Sequence, residues 1–176
     1  MREVRPGSEP ALEAAMGEEG DRVRLRLERG CRCFAAWRDD RLLAYGWVST
    51  GPEWIGELQL EISPGRGQGY VWNCVTLAPH RRQGIFRALL VAIAAQLRSE
   101  GLARLWIGSE EDPAEKAVAD AGFRQVLSFA RLSPPGLIWL RAAPAAGADP
   151  SLVSAALQAV AARPGSSLRR ARKRRH

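Results

Sequence analysis

Val71-Trp72-Asn73-Cys74-Val75-Thr76-Leu77-Ala78-Pro79-His80-Arg81-Arg82-Gln83-Gly84-Ile85-Phe86-Arg87-Ala88-Leu89-Leu90 is the stretch whose reading decides the fold. It opens as an apolar, β-branched run that reads as a strand. Pro79 ends that run, because it has no N–H to give to a ladder. A basic turn with one glycine follows, and from Ile85 to Leu97 the apolar residues fall at helical spacing. Strand, basic turn and helix N-terminus together make an anion site. The first N–H groups of a helix have no intrahelical partner and carry a partial positive charge. Arg81, Arg82 and Arg87 add full charges, and a pyrophosphate would suit such a place.

Upstream, residues 2–5 read as a short strand and Ser8 to Met16 as a helix with Ser8 as N-cap. Asp21 to Glu28 is compatible with strand or helix, since Val23, Leu25 and Leu27 alternate while Val23 and Leu27 also stand at i, i+4. Cys31–Trp37 and Leu42–Ser49 read as a hairpin across Arg38-Asp39-Asp40-Arg41, with Cys31 and Cys33 on one face as buried free thiols. Trp54 to Ile62 alternates and predicts one strand with Glu57, Gln59 and Glu61 on its polar face. That face either meets solvent or lines a cleft in which one carboxylate acts as a base. Pro64 to Gly69 reads as a hairpin loop.

Downstream, the long helix runs to about Glu100, with Gly101 as its stop. Leu105-Trp106-Ile107 is a short strand, and Asp112-Pro113 starts a helix closed by Gly122. Gln125–Leu132 and Leu137–Arg141 are two further strands. Asp149-Pro150-Ser151 caps a last helix. The order predicts an α+β fold around a mixed, mostly antiparallel sheet with helices on both faces. The expected organisation is a domain over 1–143, a helix over 144–162 docked on it, and a basic disordered tail over 163–176. Removing the six Lys/Arg of residues 169–176 takes the net charge from +7 to +1, so the basicity belongs to the tail. Binding of nucleic acid through that tail is not expected, but the charge leaves it open.

An odd count of three cysteines excludes a simple disulfide framework. No apolar stretch reaches the roughly 18–20 residues of a membrane span, and no signal peptide is evident. The expectation is a cytoplasmic protein with reduced thiols, no metal and no membrane partner.

Arg81-Arg82-Gln83-Gly84-Ile85-Phe86 resembles the acyl-CoA-binding turn of the GCN5-related N-acetyltransferases (GNAT), Q/R-x-x-G-x-G/A. Val75-Thr76-Leu77-Ala78-Pro79 resembles the strand leading into it, and Glu111-Asp112-Pro113-Ala114 through Ala121-Gly122-Phe123 resembles the next helix. The resemblance is closest over about residues 71–127. It implies a splayed central strand, favours helix for Asp21–Glu28, and names acetyl-CoA as co-substrate. It places the pantetheine arm along Val75, Thr76 and Leu77, with free backbone groups at Val75 and Leu77. The pyrophosphate falls on Arg81, Arg82, Gln83, Gly84, Ile85, Phe86 and Arg87. The implied reaction is direct attack of a primary amine, on a small molecule or peptide, upon the thioester.

Two positions depart from the pattern. Phe86 stands where Gly or Ala is usual, so its side chain is expected to turn into the core and leave its amide free. Val118 stands where the family often has a tyrosine acid, so Ser109, Tyr70 or Cys74 would have to serve, or the thiolate would leave with help from water alone. Glu57, Asn73 and Ser109 are the candidate catalytic residues, with Glu61, Glu110 and His80 as further candidate bases. Lacking a fixed acid and base, the chain leaves open a catalytically silent acyl-CoA-binding or interaction domain.

Overall fold

The structure, a computed structural model, describes residues 1–4, 9–56, 58–109, 112–132, 139–161 and 167–169. They divide into two compact units: residues 1–50 with 66–123, and residues 51–65 with 124–176.

The first unit carries strands β1 (Arg2–Glu3), β2 (Arg32–Arg38), β3 (Arg41–Ser49), β6 (Gln68–Thr76) and β7 (Arg104–Ile107). They form one sheet in the order β1-β2-β3-β6-β7. All neighbours are antiparallel except β6 and β7, which run parallel. The parallel pair follows from the connection, since helix α3 (Ile85–Ser99) supplies the crossover that parallel strands need. The β2–β3 hairpin turns on Asp39 and Asp40, both at positive φ, as a two-residue turn with the strand twist requires.

Alternation along β2 separates two cores. Cys33 and Ala35 face a cluster with Leu12 and Met16 of α1 (Glu9–Met16) and Val23 of α2 (Arg22–Glu28). Phe34 and Ala36 face Leu89, Leu90, Ile93 and Leu97 of α3. Burying those four α3 side chains contributes about 2 kcal/mol apiece, so the helix is held by its stripe and not by propensity. Helix α4 (Asp112–Asp120) follows β7, and Val118 packs against the α3 side. Its end is fixed by Gly122 at φ +95° and by the Phe123 N–H donating to the Val118 carbonyl at 3.3 Å. Within Asp21–Glu28, residues Arg22–Glu28 are helical, as the resemblance favoured. Cys31 and Cys33 are buried, and neither is in a disulfide.

Arg32 ties β1, β2 and the end of α3 together. Its guanidinium donates to both Glu3 carboxylate oxygens at 2.7 Å and to Glu100 Oε1 at 2.9 Å, with a further ion pair to Glu100 Oε2. The Arg32 hydrogen bonds, then that of Gln96, pull the Glu100 carboxyl from 4.5 down to about 2. A carboxyl with a depressed folded pKa stabilises the fold above its unfolded value and loses that contribution on protonation. The melting temperature is therefore expected to fall more steeply between pH 4.5 and 2 for the parent than for Glu100→Gln. Parallel pH–melting curves would remove the assignment.

The second unit carries the hairpin β4 (Glu53–Ile55) and β5 (Leu60–Ile62), a sheet ordered β10-β9-β8, and helix α5 (Pro150–Ala159). The sheet strands are β8 (Leu127–Leu132), β9 (Trp139–Pro144) and β10 (Ser167–Arg169). Asp149 caps α5 by accepting from the Ser151 N–H at 2.7 Å. The Ser63 N–H donates to the Ala159 carbonyl at 2.6 Å, which joins the segment after β5 to α5.

Four expectations change here. Trp54–Ile62 is not one strand: the chain turns after Gly56, with the Gln59 N–H on the Gly56 carbonyl and Gln59 at φ +51°. Alternation alone does not separate a strand from a short hairpin. Residues 64–69 are no hairpin loop, because β5 pairs with β4 while β6 pairs with β3 and β7. The last strands form their own sheet, so the central one has five. Residues 167–169, expected within a disordered tail, pair antiparallel with β9. Ser8, Glu57, Glu110, the 133–136 connection and residues 170–176 lie outside the described residues.

Candidate active site

β6 and β7 pair only from Gln68–Val71 to Arg104–Ile107. Beyond Val71, β6 runs on to Thr76 against β3 alone, and no described strand covers its other edge. The cause is a bulge. Tyr45 opposes Val75 and Trp47 opposes Trp72, so one extra residue is accommodated on β6. Asn73 takes it up at φ +43°, a left-handed conformation that Asn tolerates better than most residues. The Trp47 N–H donates to the Cys74 sulfur. Gly46 leaves the space for that sulfur, since a Cβ there would stand 2.7 Å from Cys74 Sγ.

The bulge decides which backbone groups are free. The Leu77 N–H donates to the Leu43 carbonyl at 2.9 Å, and the Leu77 carbonyl accepts from the His80 N–H at 2.8 Å. Alternation then turns the Val75 N–H toward β3 as well, opposite Tyr45. The Thr76 and Cys74 N–H groups are left for the open edge. The expectation of free groups at Val75 and Leu77 is thus displaced by one residue, because strand phase depends on a register that the sequence does not reveal.

A cavity of about 240 Å³ opens where the strands part. Asn73, Cys74, Ser109 and Val118 border it, with Phe86 and Ile107 among its apolar walls. Asn73 and Ser109 are therefore brought to one place. Phe86 packs against the α3-side core, as expected, and also borders this cavity. Burial pushes the Cys74 thiol up to about 12, against the Trp47 N–H. A thiol held protonated is a poor nucleophile, which disfavours an acyl-enzyme on Cys74.

At the end of β6 the chain makes the basic turn. Arg82 and Gly84 lie at φ +59° and +73°. Left-handed residues in such a turn bring backbone N–H groups into a concave, anion-binding arrangement. The first intrahelical bond of α3 is Ala88 N–H to Gly84 carbonyl, so the N–H groups of Ile85, Phe86 and Arg87 have no intrahelical acceptor. Arg81, Arg82, Gln83 and Arg87 are exposed around them. Arg81 Nε holds the Thr76 carbonyl at 3.2 Å, and Gln83 Nε2 holds the Pro79 carbonyl at 3.4 Å.

Two observations test whether this place fits the thioester ligand that the resemblance implies. Thr76 Oγ1 and Trp72 Nε1 are buried and have no partner among the described residues. Trp37 Nε1 and Trp47 Nε1 share that state within the α1–α2 core, so orphaned indoles are not special to the site. Thr76 Oγ1 carries more weight, because it stands on the unpaired stretch itself. Among the described residues no group of three or more His, Cys, Asp or Glu could hold a metal ion, and no helix is long and apolar enough to cross a membrane.

Glu19, which sequence reasoning missed, joins the site from the 3-10 turn Gly17–Glu19. Its Oε2 accepts from Asn73 Nδ2 at 3.0 Å and from Arg26 Nη2 at 2.9 Å, and its Oε1 from Arg22 Nη1 at 3.0 Å. Partial burial raises its pKa, but the Arg26, Arg22 and Asn73 interactions outweigh it and the net shift is downward. A carboxylate so held is a weak base. No local pattern links residues 54 apart, so only the fold could show this contact. Glu61 is exposed on β5 and accepts from Ser63 Oγ at 3.4 Å.

A family model described as "Acetyltransferase (GNAT) family" matches residues 3–123. Among solved structures, a putative acetyltransferase from Agrobacterium tumefaciens is 18% identical with a TM-score of 0.56, over 76% of this chain and 98% of that one. Aminoglycoside N-acetyltransferase AAC(6')-Iy, solved in complex with CoA, is 12% identical with a TM-score of 0.55, over 76% and 98%. A GNAT family acetyltransferase from Brucella melitensis, in complex with acetyl-CoA, is 18% identical with a TM-score of 0.52, over 65% and 78%. No curated protein matches the chain.

Proposed function

The chain belongs to the GNAT acetyltransferase family, and on that premise we propose that it transfers the acetyl group of acetyl-CoA to a primary amine by direct attack. The observation that carries this reading is the parting of β6 from β7 over a cavity that Asn73 and Ser109 both border, with the arginine-rich turn at the strand's end. Acetyl-CoA would supply an acyl group activated as a thioester.

The chain's own residues divide the remaining work. The Gly84 turn, with the N–H groups of Ile85, Phe86 and Arg87, holds the pyrophosphate, and Arg81, Arg82 and Gln83 flank it. Val75, Thr76 and Leu77 border the pantetheine arm, with the Thr76 N–H and hydroxyl as donors. The Cys74 N–H on the open edge polarises the thioester carbonyl. Ser109 gives a proton to the departing sulfur, in place of the absent tyrosine at Val118. Asn73 orients the amine, which gives its proton to water.

One observation favours a second reading: Val118, bordering the cavity, brings no hydroxyl there. A silent acyl-CoA-binding domain would bind CoA without releasing thiol. The deciding experiment incubates the protein with acetyl-CoA and, in turn, an aminoglycoside, a lysine peptide and a peptide with a free N-terminus. Thiol release that depends on one amine and falls about 10-fold or more in Ser109→Ala is expected. CoA binding with no release from any of them would favour the silent domain. No rise in melting temperature at millimolar CoA would overturn both readings.

A further inference from the structure

We propose that Glu19 is a positioning residue for the transfer: its carboxylate clamps Asn73 in the left-handed conformation that makes the β6 bulge, and so fixes the open backbone edge that meets the thioester. The inference deepens the proposed acetyl transfer and rests on it. The clamp is built in layers. The Arg26 guanidinium lies 4.6 Å from the Trp72 ring centre and 5.3 Å from that of Trp47. The two rings are themselves 6.2 Å apart, one on β6 and one on β3, directly opposite in register. Arg26 is 6% exposed and also reaches Met16 Sδ at 3.9 Å, so it has little freedom to move. It holds Glu19 Oε2, and Glu19 Oε2 in turn takes the Asn73 amide.

Asn73 needs such a partner. A left-handed conformation costs most non-glycine residues roughly 1–2 kcal/mol and asparagine less, so one hydrogen bond from its side chain to a carboxylate is enough to hold it. If Asn73 relaxes to negative φ, the extra residue must be accommodated elsewhere, and the pairing of Trp72 and Val75 with β3 shifts. The Thr76 and Cys74 N–H groups would then leave the open edge. Glu19 sits in the connection between α1 and α2, so the clamp also ties that connection to the strand on which chemistry depends.

Three variants test this: Glu19→Ala, which removes the clamp; Glu19→Gln, which keeps an oxygen for Asn73; and Asn73→Gly, in which positive φ needs no clamp. Hydrogen exchange reads the clamp without any turnover. Glu19→Ala is expected to speed exchange of the Trp72 and Val75 amides, whose residues pair with β3 on either side of the bulge, by about 10-fold relative to Leu89 and Leu90 of α3. With an active amine, its kcat is expected to fall on the order of 10- to 100-fold with KM for acetyl-CoA within about 3-fold. Glu19→Gln recovers most of the kcat, and in an Asn73→Gly background the Glu19→Ala effect shrinks. An unchanged exchange ratio in Glu19→Ala overturns the clamp, as does full additivity of Glu19→Ala and Asn73→Gly. A parent that binds CoA but acetylates nothing sinks the activity reading alone, because the exchange ratio still decides the clamp.

Discussion

Gly84→Glu is expected to abolish the CoA-induced rise in melting temperature. In the parent, ligand at about 100 times its dissociation constant stabilises the fold by about 2.7 kcal/mol, or roughly 5–10 °C for a chain of this size. Gly84 caps α3 at φ +73°, and a Cβ added there would meet nothing within 4 Å. The protein therefore has room for a side chain, and the space is the space the proposed phosphate would use. A glutamate adds two obstacles: its stem displaces the ligand, and its charge opposes a pyrophosphate at short range. The left-handed backbone adds strain of roughly 1–2 kcal/mol, which lowers the melting temperature without ligand. Gly84→Ala separates the effects, since it carries the same strain without the charge and is expected to keep part of the ligand-induced shift. A Gly84→Glu protein whose melting temperature still climbs with CoA would place the pyrophosphate elsewhere.

What the sequence revealed and what it hid divide along one physical line. Pro79, Gly84 and the spacing of Leu89, Leu90, Ile93 and Leu97 are local signals, and each produced the element expected of it. Gly101 and Gly122 stop their helices at φ +92° and +95° for the same local reason. The bulge at Asn73 left no such mark, because an extra residue is defined only against the partner strand. From it follow the phase of the free N–H groups and the parting of β6 from β7. Glu19 was hidden for a related reason: its contact with Asn73 exists only after α1 and α2 pack on the sheet. The resemblance supplied the splayed strand in outline but not which amide it frees. Gly56 misled in the opposite sense, since an alternating run with one glycine fits a strand as well as a hairpin.

Arg26→Ala is expected to lower stability by about 2–4 kcal/mol, a fall of roughly 5–15 °C in melting temperature. The weights of its interactions decide that figure. The ion pair with Glu19 contributes less than about 1 kcal/mol, because the Glu19 side chain is 43% exposed and solvent screens it. The stack is the larger part. A desolvated guanidinium against an indole face is worth up to about 2 kcal/mol, and Arg26 meets two such faces. Its buried stem adds apolar contact, so truncation also leaves a hole beside Trp47 and Trp72. Arg26→Met discriminates between these causes. Methionine fills the volume and abandons the charge, and if packing dominates it should recover more than half of the loss. Arg26→Lys keeps the charge and a stem but cannot lay a plane on either ring and buries a strongly hydrated ammonium, so it should recover less than Met. Lys restoring the parent's melting temperature while Met does not would show that the Glu19 ion pair, and not the stack, holds α2 to the sheet.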